Sequence, residues 1–149
     1  MNRRPIMPPA YLLFHLIGMV VLHFALPIMR WIERPWSYAG VLPIGVGLAL
    51  VVGCALLFQK RGTAIKPFQV SSVLVTSGPF RFSRNPIYLG MVLILLGTSI
   101  LLGTATPPIL IPLFVILITQ RFIRPEEAML EQRFGSEYLA YRARVRRWI

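Results

Sequence analysis

Two stretches of this chain, Tyr11 to Met29 and Tyr38 to Phe58, contain no Lys, Arg, Asp or Glu. At about 1.5 Å of rise per helical residue, each is long enough to cross roughly 30 Å of hydrocarbon. Two shorter apolar segments follow, Ile87 to Leu102 and Pro108 to Thr119. The connector between them, Gly103-Thr104-Ala105-Thr106-Pro107-Pro108, carries no charge. The pair therefore reads as a tight helical hairpin, with Pro112 kinking its second helix. A soluble domain could not hide this much apolar surface. Hydrophobic residues make up 56% of the chain and charged residues 14%, against roughly 25% charged in ordinary globular proteins. The expectation is an all-α integral membrane protein with about four transmembrane helices, forming a single domain over residues 1–149. The opening Asn2-Arg3-Arg4 and the run after it look like a signal peptide. That run is too long for one, however, and no small-residue cleavage site follows, so it reads as a retained first span.

A net charge of +11 raises the question of nucleic acid. The distribution of the charge answers it. With the N-terminus assigned to the cytoplasm, 14 of the 16 Lys and Arg fall on one side of the bilayer. They are Arg3 and Arg4, the connector set from Lys60 to Arg84, and the C-terminal set from Arg121 to Arg147. Only Arg30 and Arg34 fall on the other side. This is the positive-inside asymmetry. It places both termini in the cytoplasm, makes the lipid bilayer the partner of the chain, and removes any need for nucleic acid.

Within the second span, Gly45, Ala49 and Gly53 recur every four residues, a spacing that lets another helix pack closely. The Gly45-x-Gly47 pair lacks the third glycine of a dinucleotide fingerprint. Cys54 reads as a small packing residue, and His15 and His23, in the first span, as packing or interfacial residues. With so few histidines and cysteines no metal site is expected. The segment from Arg124 onward is different in kind. Pro125 suits a first helical turn, and Glu126 and Glu127 suit its positive end. Gly135 interrupts, and Ser136 reads as the N-cap of a further helix. There Tyr138, Tyr141, Val145 and Trp148 recur at helical spacing among arginines. The expectation is a cytoplasmic amphipathic helical tail lying on the membrane surface.

The polar, chemically capable residues gather in the second connector and this tail. Gly78-Pro79 marks a turn, Pro86 starts the third helix, and Tyr88 lies just inside it. The motifs run in the order Gly-Pro-Phe-Arg-x-x-Arg-Asn-Pro-x-Tyr-x-Gly, then a helical hairpin, then Pro-Glu-Glu, then Phe-Gly-x-x-Tyr-x-x-Tyr, within the region of about residues 60–149. It resembles the isoprenylcysteine carboxyl methyltransferase and phospholipid methyltransferase superfamily, in particular its small bacterial members. The resemblance implies a methyltransferase that uses S-adenosylmethionine and acts at the membrane on an apolar or lipid-anchored acceptor, a small molecule or a protein. It assigns the cofactor-binding region to residues 59–149, after two N-terminal spans in 1–58. Leu74, Val75 and Phe80 match positions that wrap the cofactor. Asn85, Pro86 and Tyr88 match the family's Arg-His-Pro-x-Tyr signature. Glu126 matches its cofactor-binding glutamate, Arg84 and Glu127 join the cofactor set, and Arg121 matches an arginine facing the acceptor. Arg121 and Asn85 are then the candidate catalytic residues, and a bacterial inner membrane is the expected location.

One position departs from the pattern: the family's histidine is Asn85 here. Asparagine donates and accepts hydrogen bonds but does not titrate near neutral pH. Methyl transfer is an in-line displacement that orientation and desolvation can drive, so the enzyme reading stands. Two other readings share these residues: an NADPH-dependent membrane reductase of the sterol-reductase type, and a non-catalytic membrane scaffold.

Overall fold

A computed structural model describes residues 7–62 and 73–149, and every regular element among them is helical. Arg3 and Arg4, which carry the expected N-terminal charge, lie outside those residues, as do Lys66 and Ser72 of the connector. Helix α1 spans Pro8–Ala25, with proline in its first turn. It stops short of the expected Met29 because Pro27 disfavours helical geometry at Leu26, whose φ is −140°. A 3-10 turn, Trp36–Gly40, leads into α2, Val41–Lys60. Helix α3, Pro86–Leu102, opens on proline and closes on Gly103, which holds a left-handed φ of 69°.

The fourth apolar segment does not end at Thr119 as its composition suggests. It opens as a 3-10 turn at Pro107–Ile109 and continues as α4, Leu110–Ile118. A π-helical turn follows at Thr119–Ile123, then α5, Arg124–Phe134. Pro112 falls just after the 3-10 opening. Pro125 does not start a separate helix. It sits inside a continuous one, where its missing N–H and its ring would disturb the ladder, and the widened π turn immediately upstream takes up that mismatch. Three helices, at Pro8–Ala25, Trp36–Lys60 and Pro107–Phe134, are long and apolar enough to cross a membrane. Helix α3, with 17 residues, rises about 25 Å. The chain is a multi-pass membrane protein, and the hairpin of α3 with the fourth helix is as expected.

Helix α3 is the hub. Its Tyr88, Met91 and Leu95 meet Met19 of α1, Phe114 and Ile118 of α4, and Phe122 and Ile123 of the π turn. Against α2 it packs through glycines, but not those of the expected stripe. A Cβ on Gly45 or Gly53 would meet nothing within 4 Å. The close approach uses Gly40 and Gly47, which face the carbonyls of Gly97 and Gly90, and a Cβ on Gly90 would lie 2.7 Å from the Gly47 carbonyl oxygen. The contact repeats every seven residues; the next position in that series, Cys54, is buried in a cluster with Val75 and Phe80.

Helix α6, Ser136–Arg144, closes the fold. Ser136 makes no capping bond; Gly135, at a φ of 50°, occupies the cap position. The aromatic side chains of α6 face the protein and not the lipid: Tyr138 and Tyr141 are buried, and the Tyr141 hydroxyl donates to the Phe80 carbonyl at 2.8 Å. The chain leaves the helix at Val145, where φ is −121°, and continues as an extended strap.

Candidate active site

The site is built where the start of α3 meets the π turn, α5 and the strap. A 3-10 turn at Gly78–Arg81 brings the chain in, with Gly78 at a φ of 62° that only glycine adopts freely. The next corner, Ser83-Arg84-Asn85, is laced to the strap. The Arg84 amide donates to the Arg146 carbonyl at 3.0 Å. Asn85 donates from Nδ2 to the Arg147 carbonyl at 3.0 Å, and Ser83 Oγ reaches the same oxygen at 3.3 Å. The Asn85 amide is itself held by Ser83 Oγ at 3.1 Å. Pro86 then starts the helix at the one place where a missing N–H costs nothing.

One turn later, the Tyr88 hydroxyl donates to Glu126 Oε1 at 2.9 Å, joining positions 38 residues apart. Glu127, the next residue, points about 100° around the helix. It receives Arg84 Nη2 at 3.0 Å on Oε1 and Arg147 Nη2 at 2.7 Å on Oε2, with Arg147 Nε 3.1 Å from Oε1. The Glu127 hydrogen bond raises the Arg147 pKa further. The Arg84 side chain is only 8% exposed, yet its Nε and Nη1 have no hydrogen-bond partner, and neither does the buried Tyr138 hydroxyl. Burial pushes the Tyr138 phenol up from its usual range, so it remains a neutral donor. Three buried donor groups are therefore unsatisfied beside one carboxylate. That arrangement is costly to a folded chain unless ordered water or a polar ligand completes it.

The structure thus gathers Arg84, Asn85, Pro86, Tyr88, Glu126 and Glu127 at one end of the bundle. Val75 and Phe80 are placed differently. They are buried with Cys54 of α2 in an apolar cluster bordered by Leu57, Phe58 and Ile87, and Leu74 is half-buried on the approach. Arg121 lies exposed on the π turn. The sequence did not single out Ser83 or Arg147 as site residues. Nothing local separates Arg147 from the other tail arginines; only the change from helix to strap after Arg144 aims it at Glu127.

The phospholipid methyltransferase family model matches residues 35–137. An uncharacterized protein of Haemophilus influenzae is 40% identical over 63 residues, which cover 42% of this chain and all of that protein. The protein-S-isoprenylcysteine O-methyltransferase of Schizosaccharomyces pombe is 37% identical over 73 residues, 49% of this chain and 31% of that enzyme. Its Saccharomyces cerevisiae counterpart is 36% identical over 76 residues, 49% of this chain and 30% of that enzyme. A solved structure of a eukaryotic intramembrane Ras methyltransferase, isoprenylcysteine carboxyl methyltransferase, superposes with a TM-score of 0.67 at 25% identity. The superposition covers 97% of this chain and 52% of that protein. The chain therefore spans about a third of the two yeast enzymes and about half of the solved one.

Proposed function

The chain belongs to the phospholipid methyltransferase family, and from that premise we propose that it is a membrane methyltransferase. It would use S-adenosylmethionine and act on an apolar or lipid-anchored acceptor. The observation that carries this reading is the Tyr88–Glu126 hydrogen bond at 2.9 Å, which joins two segments that the family resemblance assigns to one cofactor site. The residues present fit the cofactor. Glu126 engages Tyr88 through Oε1, leaving Oε2 for an ammonium group. The Arg84 Nε and Nη1 donors, buried and unpartnered, suit a carboxylate. When bound, S-adenosylmethionine supplies an activated methyl group on a sulfonium.

The chain's own residues orient and desolvate. Tyr88 fixes the rotamer of Glu126. Glu127 fixes the guanidinium of Arg84. Asn85 holds the strap against the corner, a positioning role that needs no titration and that an asparagine performs as well as a histidine. Val75 and Phe80 shape the apolar wall behind the turn, with Leu74 on the approach to it. Arg121, exposed on the π turn, is placed to meet an acidic acceptor. The acceptor's reacting group is a thiol, carboxylate or amine, and its apolar portion lies along the helices. In this reading the site end of the bundle faces the cytoplasm, which the charge asymmetry supports, and the resemblance to small bacterial members of the superfamily suggests an inner membrane. Family membership favours methyl transfer over a reductase or a bare scaffold.

Calorimetric titration of the lipid-reconstituted chain with S-adenosylhomocysteine tests the reading. Micromolar binding that Glu126→Ala weakens at least tenfold is the expected result. A folded sample that binds no S-adenosylhomocysteine overturns it.

A further inference from the structure

A polar cavity lies at the opposite end of the bundle from the Glu126 site, where the α1–α2 loop meets the α3–α4 connector. Leu101 lines it and lies 13 residues after Tyr88 on α3, about 20 Å along the helix, so this cavity is remote from the Glu126 site. Its volume is about 190 Å³, and its lining includes His23, Arg30, Ile32, Arg34 and Ser37. Ordinary small-molecule pockets run to about 300 Å³ and above. This one suits a compact headgroup and not an acyl chain.

The walls are built, not draped. The Trp31 and Ile32 amides donate to the Gly103 carbonyl at 3.1 and 3.3 Å, and the Ala105 amide donates to the Met29 carbonyl at 2.9 Å. His23 Nδ1 lies 2.9 Å from Thr104 Oγ1, and the Thr106 hydroxyl donates to the Leu26 carbonyl at 2.9 Å. Gly103, left-handed at a φ of 69°, allows the loop to approach, since a Cβ there would strike the Ile32 carbonyl.

The charge of the cavity is uncompensated. Among the described residues, neither Arg30 nor Arg34 forms an ion pair; Arg34 instead stacks 6.0 Å over the Tyr38 ring. Glu33, on the same loop, is exposed and does not line the cavity. Trp31, Trp36 and Tyr38 stand exposed around this loop. Such a ring of amphipathic aromatic residues marks the depth of lipid headgroups.

A polar cavity at that depth, holding two unpaired guanidinium groups and an imidazole, meets phosphate as the commonest anion. We propose that this cavity is an anion site that takes the phosphate of a phospholipid headgroup from the leaflet opposite the Glu126 site. Bidentate pairing by Arg30 and Arg34 supplies the recognition. The inference does not depend on the methyl-transfer reading.

The test uses the full chain in an uncharged maltoside detergent, titrated separately with short-chain phosphatidylglycerol and with inorganic phosphate. The readout is the thermal unfolding midpoint. The lipid should raise the midpoint, and Arg30→Gln with Arg34→Gln should move half-saturation at least tenfold higher. Both side chains are exposed, so the variant is expected to fold. The paired Arg→Lys variant keeps the charge and should fall between the two. Protection by inorganic phosphate alone, with the same arginine dependence, would keep the anion site but overturn a lipid as its occupant. If neither ligand moves the midpoint, or if the glutamine variant saturates with the wild type, the proposal is wrong.

Discussion

Glu126 and Glu127 are neighbours in sequence with different tasks, and the helix separates them. Glu127 engages two arginines through both of its oxygens, whereas among the described residues Glu126 meets only the Tyr88 hydroxyl. Glu126→Gln preserves size and can still accept from Tyr88, so the fold should survive while the ion pair to an ammonium is lost. S-adenosylhomocysteine binding should then weaken about tenfold or more, corresponding to about 1.4 kcal/mol, with an unfolding midpoint within a few degrees of wild type. Glu127→Ala should behave in the opposite way. It strands the buried Arg84 guanidinium, and breaking a buried pair costs about 3–5 kcal/mol. Thermal unfolding in detergent should therefore show a large drop for Glu127→Ala. Equal midpoints for the two variants would refute this division of labour.

The helices were legible in the sequence because long uncharged apolar runs admit little else in a bilayer, and the corner from Arg84 to Tyr88 was legible because its residue order is distinctive. The end of the fourth helix was not. Pro125 followed by two glutamates is the same signal whether a helix starts there or a π turn absorbs the proline inside a longer helix. The glycine contact was missed for a related reason. Gly45-Ala49-Gly53 has the familiar four-residue spacing, but the antiparallel partner α3 reads α2 every seven residues, through Gly40 and Gly47. The distinction is measurable. Gly47→Ala should destabilise by about 1–3 kcal/mol or more, because its Cβ meets backbone. Gly45→Ala should be neutral or stabilising by up to about 1 kcal/mol, because alanine is the better helix former. The docking of the tail onto the protein was missed because its arginines dominate the pattern, while the buried Tyr138 and Tyr141 decide the docking. Burial pushes the Tyr141 phenol from its ordinary value of 10.0 up to about 12. A raised folded-state pKa means the unfolded chain loses the proton first. The stability contributed by this tyrosine is complete below pH 10 and disappears as pH rises toward 12. Tyrosinate absorbance should show a late-titrating class, to which the buried Tyr138 also contributes, and Tyr141→Phe should reduce its amplitude by one tyrosine, with α6 undocking over the same interval.

Taken whole, the molecule has two chemically different ends joined by α3. One end holds the Tyr88–Glu126 pair and the Arg84–Glu127–Arg147 network; the other holds the Arg30 and Arg34 cavity. If α3, at about 25 Å, crosses together with the three longer helices, the number of crossings is even. The start of α1 and the strap then lie on the same face. Were α3 only a re-entrant element, the number would be odd and the termini would part. Charge argues for the even count, since 14 of the 16 Lys and Arg then share one face, as the positive-inside bias requires. Alkaline phosphatase fused after Ile149 should be inactive in bacterial cells and green fluorescent protein at the same point bright, while phosphatase inserted in the Trp31 loop should be active. An active phosphatase at Ile149 would place the strap, and with it the Glu126 site, away from the cytosolic supply of S-adenosylmethionine.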